Sequence, residues 1–299
     1  MTPAQVRDLI TATTGEHLAL DQLVPQRRDW RWLVELPGDR ILFIPTDTAG
    51  ASRLANERRL LAALAPRIEL AVPQVIGAVD AALDLRTRVP GLSGAPLFGR
   101  ITQDPACAEP FGVDLARVLA GLHAAFSLAE VRDLVSPPRA DTYPLAEPAL
   151  RAVVPSLPDE LRALADAALD RYAALPPDDL VLVHNDVAIH NLAFDPVTLR
   201  VVGVFDFEGA ACGGRHLDFK YVPSYGPNIT THVLAHYRAL TEIAISPARM
   251  RLLQFATALS YWEWRERDPA DHDANSGRDR DIALAWVGMA AFALRPDLI

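Results

Sequence analysis

The stretch Leu180-Val-Leu-Val-His-Asn-Asp-Val-Ala-Ile-His-Asn-Leu-Ala-Phe194 places His184, Asp186 and Asn191 in the spacing H-x-D-x-x-x-x-N. A second apolar run, Val201-Val-Gly-Val-Phe205, then delivers Asp206. A carboxylate that can orient a hydroxyl, an amide further along the same loop and a second carboxylate beyond a hairpin are the parts that phosphoryl transfer from a nucleotide uses. In that chemistry Asp186 accepts a hydrogen bond, then a proton, from the attacking hydroxyl. Asn191 and Asp206 offer the hard oxygen atoms that suit Mg2+ against the phosphates. The structural alternative is that Asp186 and Asn191 cap a turn and Asp206 caps a helix. The β-like runs on either side and the hairpin between them favour the chemical reading. His184 belongs to the same catalytic loop, either organising it through hydrogen bonds or taking part in proton transfer, and His190 is assigned no task.

A strand–turn–strand over 181–206, with Asp195-Pro196-Val197-Thr198 as its turn, must hold these side chains. Asp186 then sits where a buried strand gives way to a loop, so a fixed backbone presents the carboxylate to a cleft. Upstream, residues 3–12 form a short helix with Val6, Leu9 and Ile10 on its apolar side. Strands Trp30–Leu36 and Arg40–Ile44 flank Pro37-Gly38-Asp39, a hairpin signal. An amphipathic helix runs from Ser52 to Leu64, stopped by Pro66, and two short strands follow at Val75–Ala78 and Leu85–Val89. Pro90-Gly-Leu-Ser-Gly-Ala-Pro96 reads as a linker. Beyond it helices dominate, at Phe111–Phe126, Asp159–Leu175 and about 229–243, 247–264 and 279–294. The fold class is therefore α+β in two lobes. Residues 1–90 make a small antiparallel sheet with one helix, expected to bind nucleotide. Residues 91–299 make a larger, mainly helical lobe, expected to carry catalysis and bind the acceptor.

With half its 299 residues hydrophobic and 22% charged, the chain has the make-up of a soluble globular protein. No apolar run approaches the roughly 20 residues of a membrane helix, and the polar N-terminus lacks a signal-peptide pattern. Cytoplasmic residence, with no membrane partner, is the simplest expectation. Only Cys107 and Cys212 are present, which excludes a disulfide framework and a cysteine-based metal site. The net charge of −9 falls in residues 91–299, because residues 1–90 carry equal numbers of acidic and basic side chains. That argues against nucleic acid as a partner. It suits either a cationic small substrate or a merely solvated acidic surface. Lys220 is the only lysine.

The motifs resemble those of the aminoglycoside phosphotransferase family, a branch of the protein-kinase-like fold that includes macrolide and choline kinases. His184-Asn185-Asp186 and Asn191 match the family pattern H-G-D-x-x-x-x-N, and Phe205-Asp206-Phe207 matches I-D-[FW]. Leu115-Ala-Arg-Val-Leu-Ala-Gly-Leu-His123 is similar to the family's L-A-x-x-L-A-x-L-H helix. His216-Leu217-Asp218 stands where the family has D-P-x-x-D-L, and Asn56-Glu57-Arg58 lies on the helix that carries the small lobe's glutamate. The resemblance spans residues 20–290 or so. It implies that Asp186 is the catalytic base, that Asn191 and Asp206 are the Mg2+ ligands and that Asp218 holds the catalytic loop. It also implies ATP or GTP as donor and a small-molecule hydroxyl as acceptor.

The chain departs from that pattern in the small lobe. The family carries Lys or Arg on its third strand, in the context [KR]-x-P, pairing with the helix glutamate and the phosphates. Here Ile41-Leu-Phe-Ile-Pro45 puts Phe43 at that position, and Lys220 lies too far along the chain to replace it. The turn Gln26-Arg-Arg-Asp-Trp30 also lacks the glycines that let backbone N–H groups approach phosphates. Either Arg27, Arg28 or Arg40 binds the phosphates near Glu57, or the protein is a pseudokinase-like binding module without turnover. Glu57 itself has either lost its partner or pairs with Arg53, one turn earlier. On the acceptor side, Trp262 and Trp264 form a wall and Glu263, Glu266 or Asp268 meets ammonium groups, unless these side chains are core or solvated. Tyr221, Tyr225 and Asn228 are further acceptor candidates.

Overall fold

The computed structural model describes residues 1–28, 30–79, 83–267 and 276–298. Helix α1 (Pro3–Thr14) starts with a capping box, in which Thr2 and Gln5 satisfy each other's backbone N–H groups, and ends at Gly15 with φ 73°. Strands β1 (Gln26–Arg28), β2 (Arg31–Leu36), β3 (Arg40–Pro45), β4 (Val75–Val79) and β5 (Leu83–Thr87) form one antiparallel sheet in the order β1-β2-β3-β5-β4. Helix α2 (Thr48–Leu64), capped by Asp47, connects β3 to β4.

Strand alternation gives this sheet two different faces. Val34, Leu36, Leu42, Ile44, Leu83 and Leu85 point to one side and pack with Val6 and Ile10 of α1. The register sets Phe43 opposite Leu33 on β2 and opposite Asp84 on β5. Arg31, Leu33, Ile41, Phe43, Asp84 and Arg86 therefore share the other face, which looks towards the cleft and Glu57 of α2.

The larger lobe opens with β6 (Leu92–Ser93), inside the segment that reads as a linker. It pairs with β8 (Leu192–Phe194), which pairs in turn with β9 (Val201–Val204). Short helix α3 (Phe98–Gln103) leads into α4 (Pro105–Ala124), followed by α5 (Leu128–Leu134), α6 (Glu147–Val153) and α7 (Asp159–Ala173). Strand β7 (Leu180–Val183) pairs with β10 (Ala211–Gly214), and α8 (Pro227–Thr241), α9 (Pro247–Arg267) and α10 (Ser276–Leu298) close the chain. One core joins Leu115 and Leu119 of α4 to Val233 and Tyr237 of α8 and to β8 and β9. A second lies between α6, α7, α9 and α10 around Trp262. No single helix among the described residues is long and apolar enough to cross a membrane.

The small lobe's connecting segment seats on β9, the strand that leads to Asp206. Ala71 donates to the Val202 carbonyl at 3.1 Å and accepts from the Val204 N–H at 2.9 Å. Between them a Cβ on Gly203 would fall 2.7 Å from the Ala71 carbonyl oxygen and 2.3 Å from Val89 Cγ1. Gly203→Ala should therefore lower stability by about 1–3 kcal/mol, because backbone must shift to admit the methyl group. Thermal denaturation checks this, and an unchanged melting temperature would refute the close seating.

Candidate active site

Strand β7 ends at the fully buried Val183 and hands the chain to His184, which is 0% exposed. Nε2 of His184 donates to the Phe205 carbonyl at 3.0 Å, and Nδ1 accepts from the Asp186 N–H at 3.2 Å. Both ring nitrogens are thus engaged by backbone, and the ring packs on Phe207 at 4.5 Å between centroids. Of the two readings of His184, proton transfer has no free ring nitrogen to act through, and loop organisation fits both bonds. His184 ties the loop after β7 to the loop that carries Asp206.

The family glycine before the catalytic carboxylate is here Asn185, with φ 63°. Asn is one of the few side chains that tolerates the left-handed region. Its side-chain oxygen accepts from Lys220 Nζ at 2.9 Å, and Lys220 also donates to the carbonyls of Asn185 and Tyr143. The chain's single lysine is thus buried behind the loop with three acceptors, which matches its three donors. Burial pulls its ammonium down to about 8, against the opposing charges of Asp186 and Asp218. Asp218, also buried, accepts from the backbone N–H groups of His184 and Asn185 and meets His123 Nε2 at 3.1 Å. The His123 imidazole, brought in by α4, bridges on to the Tyr237 hydroxyl of α8 at 2.8 Å.

Asp186 projects from this braced loop with about a third of its side chain exposed. Its Oδ1 accepts from the Tyr221 hydroxyl at 2.8 Å and its Oδ2 from Asn191 Nδ2 at 2.8 Å. Burial alone raises the carboxyl, but the His190 imidazole and the Lys220 ammonium outweigh it and hold Asp186 well below the usual carboxylate range. Asn191 also donates to the Asp186 carbonyl at 3.0 Å, so its amide NH2 is committed and its amide oxygen is left to other partners. The Asn191 carbonyl accepts from the Phe205 N–H at 3.0 Å, which sets the next residue, Asp206, beside it. Asp206 has φ 66°, an uncommon conformation for a non-glycine residue. Its Oδ1 accepts from Arg31 Nη2 at 2.7 Å.

Arg31 was not among the expected site residues, and neither was Arg86. Both guanidinium groups lie over the Phe43 ring, at 5.2 and 4.7 Å from its centroid. Glu57 has not lost its cationic partner, because Oε1 is 2.8 Å from Arg86 Nη1. Arg53, the expected helix partner, instead reaches Glu208 at 3.1 Å and Asp141 at 3.3 Å. Arg40 is likewise not a cleft residue. It makes a two-pronged pair with Glu16, at 2.7 and 2.8 Å, which ties the β2–β3 hairpin to the segment after α1. Arg28 does line the cleft, a space of about 350 Å³ shared with Arg31, Phe43, Glu57, Arg86 and Asp206. Glu208 collects Trp30 Nε1 at 2.7 Å and Arg139 at 3.2 Å, which latches the tip of the first hairpin to the larger lobe. The Asp84–Arg86 alternation with Leu83 and Leu85 was the sequence signal for a charged inner face. Cross-strand register, which decides who neighbours Phe43, is not written in any one strand.

Two acceptor expectations fail. Trp262 is 1% exposed and donates to Ser156 Oγ at 2.8 Å, because its position on α9 turns it into the second core. Tyr225 is buried against Phe111, and its hydroxyl accepts from the Ile189 N–H at 2.9 Å, so it braces the catalytic loop from behind. Glu263 is partly buried, with Oε1 3.3 Å from Arg267 and a shielded Oε2 that has no hydrogen-bond partner. Asp268 lies outside the described residues. The aromatic wall next to Asp186 starts instead at Tyr221, stacked on Trp286 at 6.2 Å, and continues to Tyr261 and Trp264.

Fold and site together define a two-lobed, kinase-like phosphotransferase. The sequence profile of the phosphotransferase enzyme family matches residues 24–253, and the chain belongs to that family. Viomycin phosphotransferase of Streptomyces vinaceus is 28% identical over 214 residues, 68% of this chain and 73% of the relative. The GDP complex of wild-type aminoglycoside 2'-phosphotransferase-IIIa superposes with a TM-score of 0.73 at 18% identity, over 100% of this chain and 99% of that one. A macrolide 2'-phosphotransferase from Brachybacterium faecium, without ligand, gives 0.66 at 22% identity, over 95% and 97% of the two chains.

Asp218→Ala removes the acceptor of two buried N–H groups and the partner of His123. It should cost about 3–5 kcal/mol in urea unfolding, and a loss below about 1 kcal/mol would contradict the bracing role. Asp186, with its folded pKa depressed, contributes stability that is present above its unfolded value and lost as pH falls. Asp186→Asn should therefore flatten the decline in melting temperature below about pH 4.

Proposed function

We propose that this protein transfers the γ-phosphoryl group of ATP or GTP to a hydroxyl of a small molecule, with Mg2+ held by Asn191 and Asp206. The observation that carries this reading is the linked set Asp186–Asn191–Phe205–Asp206, in which one carboxylate faces the acceptor side and another already holds a cation. The donor set fits the metal. An amide oxygen and a carboxylate are hard ligands, and the Arg31 guanidinium on Asp206 stands where positive charge is wanted. Bound Mg2+ supplies neutralisation of the phosphate charge.

Asp186, held ionised, is a weak store for a proton at neutral pH and a strong hydrogen-bond acceptor. Its role is to align the acceptor hydroxyl for in-line attack, with Asn191 and Tyr221 fixing the carboxylate plane. His184, Asp218 and Lys220 keep the loop in place and touch no reacting atom. On the acceptor side, Tyr221 and Trp286 offer flat aromatic surface beside the Asp186 carboxylate. A compact acceptor with hydroxyl and cationic groups suits that lining. Viomycin, kanamycin and a macrolide are the acceptors to try, since the similar proteins are phosphotransferases of those classes. A cytoplasmic location accords with a nucleotide donor.

The test is nucleotide consumption with these acceptors in the presence and absence of Mg2+. Asp186→Asn should lower kcat by about 10²–10⁴-fold while nucleotide affinity stays within about threefold of wild type. Turnover retained by that variant would remove Asp186 from the reaction.

A further inference from the structure

The family's single small-lobe cation has two tasks, pairing with the helix glutamate and meeting the phosphates. We propose that this protein divides them between two arginines on neighbouring strands. Arg86 of β5 holds Glu57, and Arg31 of β2 is the phosphate-binding cation. The assignment rests on the phosphotransferase reading and extends it to the donor site.

Arg86 is committed. Its Nη1 meets Glu57 at 2.8 Å, while Nη2 and Nε meet Asp84 at 2.7 and 3.2 Å. It is 1% exposed, and Arg58 Nε shares Asp84 from the far side at 2.7 Å. Such a group neutralises carboxylates and fixes α2 against the sheet. Arg31 is different. One arm, Nη2, rests on Asp206, but Nη1 is buried without a hydrogen-bond partner, 3.8 Å from a Glu57 oxygen that also lacks one. Its guanidinium lines the cleft between the helix glutamate and the proposed metal ligand, which is where phosphate oxygens must pass. A planar fork with one arm free of a hydrogen-bond partner has a donor left for such an oxygen.

Phe43 then has a purpose. A lysine there would crowd a third cation beside Arg31 and Arg86, whereas the aromatic ring lies under both guanidinium groups and holds them in place. Arg28, on the exposed end of β1, has no comparable setting.

Calorimetry on the full chain tests the division. The probes are Mg-ADP and Mg-GDP, with adenosine and guanosine as phosphate-free controls. Arg31→Ala should weaken binding of the preferred diphosphate by about tenfold or more. The matching nucleoside should bind within about twofold of wild type. Arg31→Met, which keeps the bulk over the Phe43 ring, should behave alike and serves if the alanine variant fails to fold. Diphosphate affinity unchanged in either folded variant would overturn the assignment, as would equal losses for diphosphate and nucleoside. If wild type binds no diphosphate at all, the functional reading fails and takes this assignment with it.

Discussion

A chain of charges crosses the cleft, running Arg58–Asp84–Arg86–Glu57–Arg31–Asp206, with its four central members buried. Ions removed from water are tolerated only when each is answered by another at close range. That requirement fixes β5 and β2 against α2, and then the small lobe against the loop that carries Asp206. The last link, Arg31 to Asp206 at 2.7 Å, is where, among the described residues, a small-lobe cation touches the larger lobe's proposed metal site. Glu208 adds a parallel latch through Trp30, Arg53 and Arg139. Apolar packing adds to these contacts, because Leu60, Leu61 and Leu64 of α2 and Val72 join the larger lobe's core.

The catalytic loop solves the same problem on the other side. Two buried groups, Asp218 with His123 behind it and Lys220, satisfy its backbone and let it turn through Asn185 in a conformation otherwise left to glycine. Asp186 therefore emerges from a rigid, fully bonded base. Its carboxylate is oriented by neighbours that do not depend on a ligand being present. Preorganisation of this kind is how a site that does little covalent chemistry accelerates phosphoryl transfer.

Much of this was legible in the sequence, and unevenly so. The hairpin carrying Asp186, Asn191 and Asp206 could be read directly, because short-range spacing and apolar runs determine where those side chains go. Long amphipathic helices were also clear, while β10, α5 and α6 are too short to leave a period. Contacts that depend on register across strands were not legible. Phe43 was placed correctly on β3, yet nothing in Ile41–Pro45 says that Arg31 and Arg86 stand beside it. Arg40 looked available because its partner, Glu16, comes from a separate segment. Trp262 and Trp264 looked equivalent, and helix rotation sent the first into the core.

In the proposed donor site, arginines from β2 and β5 replace the missing cation and leave a working phosphate site. A crystal structure of the wild-type protein with Mg2+ and a non-hydrolysable nucleotide triphosphate tests it most directly. Arg31 should lie within about 2.7–3.2 Å of phosphate oxygens, with Arg86 still on Glu57. A structure in which Arg31 stays on Asp206 and no arginine approaches the phosphates would contradict the account.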